Sequence, residues 1–425
     1  MTIKAVTGTK DILPSEIPKW NYIENIVKEI FSRYNYKEIR TPVFEETALF
    51  ARGIGEETDI VGKEMYTFTD RGGTSLTLKP EMTASVVRAY IEHSLGAQSQ
   101  LQKLFYISPM FRQERPQAGR FRQFHQFGAE AIGSSSPVLD AEMIQMSYGI
   151  LKSLGLNDIQ VKLNSLGVPA SREEYKKILR QFLEPKKNEL SEDSRRRLDT
   201  NILRIFDSKI ESDQNALKDA PLLLDFLDQE SKFDFGVVQN ILKDSGINFQ
   251  VDPALVRGLD YYTKTTFEIV SSKVGSQSSL CGGGRYDLLA EQLGGKPTPG
   301  VGFAAGMERI LLACENENAF IPPAQNLDFY LITLERQFEM TVIHIASELR
   351  NQGFSVDLDY LGRSVKAQMR EANKLNAGFV IFIGGDEFEA GKVKMKNMKN
   401  SSEFVFDLQE LNNIDEILKK TGQNV

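Results

Sequence analysis

The chain opens with a helical pattern of apolar residues and then changes to the pattern of strands. Five apolar residues near the N-terminus are spaced three or four positions apart, which places them on one face of a helix. They are Trp20, Ile23, Val27, Ile30 and Tyr34. After Pro42, short apolar or alternating runs predict strands at 64–69, 74–79, 103–111 and 122–131. With a helix predicted over 81–93, this order favours a mainly antiparallel sheet flanked by helices, an α+β architecture.

Two later changes of pattern divide the chain. From about 169 to 252 glycine is scarce and the periodicity is helical, and strand-rich sequence resumes at Leu255, which predicts a helical insertion. Beyond Ile321-Pro-Pro-Ala-Gln325, strands and helices alternate as βαβαβ. This alternation predicts a small α/β domain with a mixed sheet. We therefore expect a first domain over 1–325 that contains the insertion, and a second domain over 326–425.

Composition and charge exclude several classes of protein. A chain of 425 residues is too long for one ordinary core, and its net charge of −7 argues against a protein that coats nucleic acid. Local basic patches still allow a nucleic-acid partner. Cys281 and Cys314 are the two cysteines, so neither a disulfide framework nor a zinc cluster is expected. The chain shows neither a signal peptide nor the roughly 20 apolar residues of a membrane span, so we expect no membrane contact and a cytoplasmic location.

The strongest candidate site is the turn between the strands predicted at 103–111 and 122–131. Four arginines lie within the eleven residues 112–122, around a Pro/Gly turn. In the second strand, alternation predicts one face with Arg122, Phe124, Gln126 and Glu130, and a mostly apolar face that includes His125. Arginine forks bind phosphates and a phenyl ring stacks on a purine, so this face favours a nucleotide site over a merely solvated sheet surface. His125 is expected to be structural.

Three further segments carry candidate chemistry. The peptide Arg257-Gly-Leu-Asp-Tyr261-Tyr262 precedes a strand, and Gly282-Gly-Gly284 allows the backbone to pass close to a ligand or another strand. A strand that begins at Gly300 leads into a helix and places Arg309 near the positive end of the helix dipole. Glu81 and Thr83 stand at a helix start, where they either cap the helix or accept hydrogen bonds from a substrate ammonium. The sequence leaves both roles open.

In this order, these segments resemble the motifs of a class II aminoacyl-tRNA synthetase. Arg40-Thr-Pro42 is similar to the first motif, at a dimer interface, Phe111-Arg-Gln-Glu114 to the second, and Gly302–Arg309 to the third. The peptides at 257–262 and 282–287 narrow the resemblance to the histidyl-tRNA synthetase family. Gly8-Thr-Lys-Asp11 also fits. The resemblance covers essentially the whole chain, although the insertion and the last hundred residues match in layout more than in motif.

The resemblance implies a role for each site residue. The α-amino group of histidine would be bound by Glu81, Thr83 and Gln126, and the imidazole by Glu130 and Tyr262. Tyr261, Arg112 and Arg257 complete the implied histidine pocket. The implied ATP-binding residues are Arg112, Glu114, Arg120, Phe124 and Arg309, with Phe124 stacked on adenine. Arg257 at the α-phosphate, with Arg112 and Arg309, forms the implied catalytic set, and Gln117 and Arg122 would contact the acceptor end of tRNA.

The resemblance also implies the reaction and its partners. L-Histidine would be activated by ATP to histidyl-adenylate and pyrophosphate, and the histidyl group would pass to the 3′ end of tRNA(His). Mg²⁺ would sit on the ATP phosphates with few dedicated protein ligands. The chain would act as a homodimer, and its C-terminal domain would bind the anticodon.

The sequence argues against two other functions. A catalytically silent paralogue, such as the regulatory subunit of ATP phosphoribosyltransferase, would lack phosphate-gripping arginines and the C-terminal domain, whereas Arg112, Arg257, Arg309 and residues 326–425 are present. A sister synthetase for another amino acid would need a different pocket from 257–262. The basic run Arg195-Arg-Arg197 in the insertion is either a solvated face or a nucleic-acid contact.

Overall fold

The computed structural model describes residues 2–55, 58, 60–275, 278–319 and 326–420. The chain forms two compact units, Met1–Pro322 and Pro323–Val425. The first unit contains the strands β1 (Lys37–Glu38), β2 (Phe44–Glu46), β3 (Tyr66–Thr69), β4 (Ser75–Leu78), β5 (Gln102–Phe111), β6 (Gln123–Ile132), β7 (Gln160–Ser165), β8 (Phe249–Val251), β9 (Thr263–Val270), β10 (Ser279–Arg285) and β11 (Gly300–Gly306).

The helices of the first unit surround these strands. They are α1 (Ile17–Arg33), α2 (Thr47–Ile54), α3 (Thr83–Glu92), α4 (Leu95–Gln98), α5 (Pro137–Ser153), α6 (Pro169–Leu183), α7 (Glu192–Asp199), α8 (Glu211–Leu217), α9 (Gln229–Asp244), α10 (Leu289–Gln292) and α11 (Met307–Asn316). Short 3₁₀ turns occur at Glu184–Glu189, Ile202–Asp207, Leu223–Phe226 and Ser272–Val274, and a π turn at Ile60–Glu64.

Among the described residues, eight strands form one sheet in the order β1-β5-β6-β11-β10-β9-β7-β8. The two edge pairs, β1 with β5 and β7 with β8, are parallel, and the pairs between them are antiparallel. The mainly antiparallel sheet is confirmed, and the strands predicted at 103–111 and 122–131 lie in it as β5 and β6. The strands predicted at 64–69 and 74–79 instead form, as β3 and β4, a separate antiparallel sheet with β2. Because the centre of the large sheet is built from long antiparallel strands, side chains two residues apart along β6 lie on the same face.

One face of this sheet is covered by an apolar core. The predicted N-terminal helix is confirmed as α1, which buries Trp20, Ile23, Val27 and Ile30 against the sheet. Helices α5 and α9 pack in the same core, where Ser136 and Asp228 cap their first turns by accepting hydrogen bonds from Val138 N and Ser231 N. The opposite face is therefore the one left for polar chemistry.

The region after β7 is helical, as its periodicity predicted. Helices α6, α7 and α8 pack around buried leucines and Tyr175, on the side of the sheet opposite α1. The region then returns to the main body: α9 packs beside α5, and β8 becomes the edge strand next to β7.

The second unit has its own mixed sheet. Its strands are β12 (Phe329–Thr333), β13 (Val356–Leu358), β14 (Phe379–Ile383), β15 (Lys392–Asn397) and β16 (Glu403–Asp407), in the order β13-β12-β14-β15-β16. Its helices are α12 (Glu339–Asn351), α13 (Val365–Lys374), α14 (Gly385–Glu389) and α15 (Ile414–Lys420), with 3₁₀ turns at Arg336–Phe338 and Leu408–Asn413. The pairs of β12 with β13 and β14 are parallel and the other two are antiparallel. The expected α/β domain with a mixed sheet is confirmed.

Candidate active site

The polar face of the large sheet has a floor of very small residues. In the register of the central strands, Glu130 on β6 lies opposite Gly302 on β11, which lies opposite Gly284 on β10. One row along, Gly128 lies opposite Ala304, and Ala304 lies opposite Gly282. These rows leave space above the centre of the sheet, and the polar side chains of the candidate site border that space.

Two of these glycines are required by close approach. A Cβ atom at Gly282 would overlap the guanidinium of Arg257, and a Cβ atom at Gly302 would overlap a carboxylate oxygen of Glu130. The glycine run at 282–284, ambiguous in sequence, is therefore explained by what lies on top of it.

An inner pocket lies beside Glu130. Both Glu130 oxygens accept hydrogen bonds from hydroxyl groups, one from Thr83 Oγ1 at 2.7 Å and the other from Tyr286 Oη at 2.6 Å. Glu130 is fully buried. Burial raises its pKa to about 8, although the two hydroxyl donors oppose the rise. Gln126, Tyr261 and Tyr262 line the same pocket.

Glu81 caps a helix and also borders the inner pocket. Its carboxylate accepts hydrogen bonds from the backbone N–H groups of Thr83 at 2.7 Å and Ala84 at 2.9 Å, at the start of α3. Burial raises its pKa, and these backbone donors lower it. The capping role left open by the sequence is thus present. The side-chain oxygen of Gln126 is buried without a hydrogen-bond partner among the described residues, so it is a polar atom available to a ligand.

A larger outer pocket adjoins the inner one and is rich in arginine. Arg112, Arg120, Arg257 and Arg309 line it, together with Phe124. The Arg112 guanidinium lies 5.4 Å from the centre of the Phe124 ring, and its Nε donates to the carbonyl of Pro80 at 2.9 Å. Arg309 Nη1 donates to the carbonyl of Ser279 at 2.9 Å. Burial, with Arg120 and Arg112 nearby, lowers the pKa of Arg309, as expected where cations gather to meet an anion.

Two carboxylates partner the arginines of the outer pocket. Glu114 forms ion pairs with Arg120 at 2.9 Å and with Arg112 at 3.6 Å, and Glu268 forms one with Arg257. Burial disfavours the charged form of Arg257, but Glu268 opposes this and the net effect raises its pKa. Within the described part of the chain, no group of three or more His, Cys, Asp and Glu side chains could hold a metal ion.

Arg122 was placed wrongly on the face of Phe124, Gln126 and Glu130. Strand β6 begins at Gln123, and Arg122 turns toward the N-terminal segment. Its backbone N–H donates to the Gly8 carbonyl at 2.7 Å, and its guanidinium donates to the carbonyls of Thr7 and Glu114, each at 3.3 Å. The strand that follows the Pro/Gly turn therefore begins one residue later than the sequence pattern indicated.

Two residues singled out from the same segment lie away from the pockets. Gln117 is exposed in the turn and pairs through its backbone with Arg120. His125 lies on the opposite side of β6, where Glu308 accepts a hydrogen bond from its backbone N–H and contacts its ring Nδ1 at 3.0 Å. The Trp20 ring meets the His125 ring edge-on at 4.9 Å. His125 is thus a packing residue, as its place in the alternation predicts.

Four residues of the site were not identified from the sequence. Tyr286 and Tyr106 border the inner pocket, and Glu268 and Glu308 border the outer one. Tyr286 belongs to the glycine-rich peptide, and Tyr106 on β5 pairs with Gly128 on β6. Both tyrosines reach the pocket because of how the strands pair, which the sequence pattern does not give.

Three comparisons with known proteins agree with this arrangement. Residues 8–310 match the family model described as histidyl-tRNA synthetase, and residues 328–420 match the anticodon binding domain. The histidine–tRNA ligase of Halothermothrix orenii is 49% identical over 419 residues, 99% of this chain and 100% of that protein. That of Alkaliphilus oremlandii is 48% identical over 411 residues, 97% of this chain and 98% of the other. The crystal structure of apo histidyl-tRNA synthetase from S. aureus superposes with a TM-score of 0.83 at 42% identity, covering 97% of this chain and 99% of that one.

Proposed function

Since the chain belongs to the histidyl-tRNA synthetase family and is a histidine–tRNA ligase, we propose how its residues divide the work among histidine, ATP and tRNA. The enzyme first activates L-histidine with ATP to histidyl-adenylate and pyrophosphate, and then transfers histidine to the 3′ end of tRNA(His). The inner pocket is the histidine site and the outer pocket is the ATP site.

Histidine recognition is assigned to the buried polar groups of the inner pocket. Glu81, Thr83 and Gln126 bind the α-amino group, an assignment that the unpartnered oxygen of Gln126 supports. The imidazole is assigned to Tyr262, which lines the pocket with Tyr261, and to Glu130, which is bonded to the lining residues Thr83 and Tyr286. Glu81 lines this pocket and Glu130 lies beside it, behind Thr83 and Tyr286. Burial raises the pKa of both carboxylates, and a cationic ammonium and a ring N–H are the ligand groups that would stabilise their charged forms.

ATP is assigned to the arginines and the phenyl ring of the outer pocket. Phe124 stacks on adenine, while Arg112 and Arg309 bind the phosphates. Glu114 and Arg120 complete this set as an ion pair that holds the neighbouring guanidinium groups in place.

Arg257 carries the chemical step in this proposal. A histidine carboxylate oxygen forms a bond to the α-phosphorus, the bond from that phosphorus to the bridging oxygen breaks, and pyrophosphate leaves with the electron pair. Arg257 lines both pockets, which supports its role in stabilising the charge that develops at the α-phosphate between them. Arg112 also lines both pockets, and we assign both arginines to the histidine carboxylate as well.

Mg²⁺ is expected on the nucleotide rather than on a protein cage. The outer-pocket carboxylates Glu114, Glu268 and Glu308 are each engaged by an arginine or by His125. This fits an ion held mainly by phosphate oxygens and water, as Mg²⁺ usually is in such sites. When bound, it would neutralise phosphate charge.

The tRNA contacts and the domain limits complete the proposal. Gln117, at the exposed turn, and Arg122, beside it, contact the acceptor end. The first domain spans 1–325, with the helical insertion at about 169–252, and the second, over 326–425, binds the anticodon; the match of 328–420 to the anticodon binding domain supports this division.

A homodimer is supported by an exposed apolar sheet face. Strands β2, β4 and β3 form a separate antiparallel sheet next to Arg40-Thr-Pro42. Its register places Phe44, Leu78 and Tyr66 in one row and Glu46, Leu76 and Phe68 in the next, so that five of the six residues on this face are apolar or aromatic. Phe44 and Phe68 are 52% and 45% exposed. Such a face is characteristic of an interface between subunits.

A cytoplasmic location is supported by the cysteines, since Cys281 and Cys314 are both buried and unpaired. As a separate finding, no helix in the described ranges is long and apolar enough to cross a membrane.

The observation that carries the proposal is that Arg112, Gln126 and Arg257 line both pockets. It is tested by histidine-dependent exchange of pyrophosphate into ATP in two variants. Glu130→Gln should raise KM for histidine and leave KM for ATP near the wild-type value, and Phe124→Ala should do the reverse. The same change of both constants in both variants, or the opposite pattern, would refute the assignment of the two pockets.

A further inference from the structure

The loop that carries Arg257, Tyr261 and Tyr262 is contacted by the helical insertion. Arg172, in the first turn of α6, extends its guanidinium to the backbone carbonyl of Tyr262, with Nη1 donating at 2.7 Å. Burial lowers the pKa of Arg172, and nearby Asp260 opposes this. A charged donor is thus directed, largely away from solvent, at the backbone of a proposed substrate-binding residue.

A second contact joins the insertion to the same loop. Asn201, just before the 3₁₀ turn Ile202–Asp207, donates its side-chain N–H to Asp260 Oδ1 at 3.0 Å. Asp260 is also tied to the main body, because its backbone N–H donates to the carbonyl of Ile54 at the end of α2 at 3.1 Å. The loop is therefore held between α2 and the insertion.

Lys264, which follows the loop, is anchored to α9 and to the residue that precedes Val168 and α6. Lys264, two residues after Tyr262, forms ion pairs with Glu230 at 2.7 Å and Asp234 at 2.8 Å, both on α9. Its backbone N–H donates to the carbonyl of Gly167, just before α6. Lys264 adopts φ +42°, a left-handed conformation that is costly for a lysine and persists because these contacts hold it.

We propose that Arg172 and Asn201 are positioning residues for histidine activation, so that the helical insertion is a working part of the adenylate-forming site. The proposal rests on the assigned roles of Arg257, Tyr261 and Tyr262. Both contacts are made within the chain, so the proposal predicts that activation depends on Arg172 and Asn201 in the absence of tRNA. This dependence acts through the orientation of the loop backbone, since neither side chain lines the pockets.

The test is tRNA-free exchange of pyrophosphate into ATP by the full chain with Arg172→Ala and a matched control. Arg180→Ala removes the same residue type from the same helix, but the hydrogen bonds of the Arg180 side chain to described residues go to Asp199 and the Leu198 carbonyl, inside the insertion. Arg172→Ala should raise KM for histidine by about ten-fold or more, the effect of losing one hydrogen bond from a charged donor. KM for ATP should change much less, and Arg172→Lys, which can still reach a carbonyl, should recover part of the loss.

The control and a second variant keep the test decisive. An unchanged KM for histidine in Arg172→Ala, or an equal rise in Arg180→Ala, would overturn the proposal. If Arg172→Ala lowers the melting temperature too far to assay, Asn201→Asp, which sets a carboxylate against Asp260 near the surface, should raise KM for histidine on its own. No rise there would also overturn it. Glu130→Gln, run in parallel, separates the two levels: if it leaves KM for histidine unchanged, the pocket assignment itself has failed.

Discussion

The Tyr286 hydroxyl donates a 2.6 Å hydrogen bond to the Glu130 carboxylate, which joins the residue after β10 to the last part of β6. Thr83 donates to the other oxygen, so the carboxylate is held in one orientation before any ligand arrives. A buried acceptor that is already oriented suits hydrogen bonding to a ring N–H, because ligand binding then costs no further ordering of the acceptor side chain.

Tyr286→Phe tests that relationship. It removes one donor and leaves the ring in place, so Glu130 can rotate and is less well satisfied. KM for histidine should rise about ten-fold or more, with KM for ATP little changed. Tyr175→Phe is the control, since it deletes another tyrosine hydrogen bond, to the Pro221 carbonyl, away from the pockets. Equal kinetic effects in the two variants would show that Tyr286 is merely structural.

The raised pKa of Glu130 predicts how Glu130→Gln changes stability with pH. The pKa is about 8 in the folded protein, because of burial, against 4.5 for an ordinary glutamate. Between these two pKa values, Glu130 is protonated in the folded state and ionised in the unfolded state. The stability that this bound proton contributes to the folded state is fully present below about pH 4.5 and is lost as the pH rises through about 8. Glutamine carries no such proton. In melting experiments without ligand, the melting temperature of Glu130→Gln should therefore rise relative to that of the wild type as the pH rises from 5 to about 8.5. A difference between the two melting temperatures that is constant with pH would contradict the assigned pKa.

Gly8→Ala should disturb the turn that follows β5. Gly8 adopts φ +87°, and an added Cβ would lie within 2.8 Å of the Arg122 side chain, whose backbone is bonded to Gly8. Displacing Arg122 moves the segment between Glu114 and Arg122, so aminoacylation should fall several-fold. Gly73→Ala introduces comparable backbone strain at φ +91° in open space between β3 and β4, and it should lower the melting temperature without that loss. Equal aminoacylation activity in both variants would show that the contact between Gly8 and Arg122 does not position this turn for the reaction.

Phe68→Asp tests the proposed dimer face. A charge on the apolar face of β2, β4 and β3 should shift the sedimentation coefficient from that of a dimer toward that of a monomer, because a buried unpaired carboxylate opposes association. Phe233→Asp is the control, since Phe233 on α9 is even more exposed, at 71%, and lies outside that face. A wild-type protein that sediments as a monomer would refute the proposed homodimer.

The sequence predicted local elements better than it predicted the partners of each side chain. The apolar spacing from Trp20 to Ile30 is a property of one helix, and the alternation of Phe124, Gln126 and Glu130 is a property of one strand, so both were readable. Arg122 was misplaced because the point at which β6 begins depends on a backbone hydrogen bond from Arg122 to Gly8, more than a hundred residues away. Tyr286 was missed for the same reason: its value comes from reaching Glu130 on a strand that is distant in sequence.

Arg257→Ala addresses the central claim most directly, that the loop at 257–262 and the β6 face form the site of histidine activation. Histidine-dependent exchange should fall about 10²–10³-fold, since a preorganised charge-stabilising group is removed, while the melting temperature stays close to the wild-type value. Glu268→Gln, which breaks the ion pair but keeps the arginine, should lose far less. Near-normal exchange in Arg257→Ala would contradict the account.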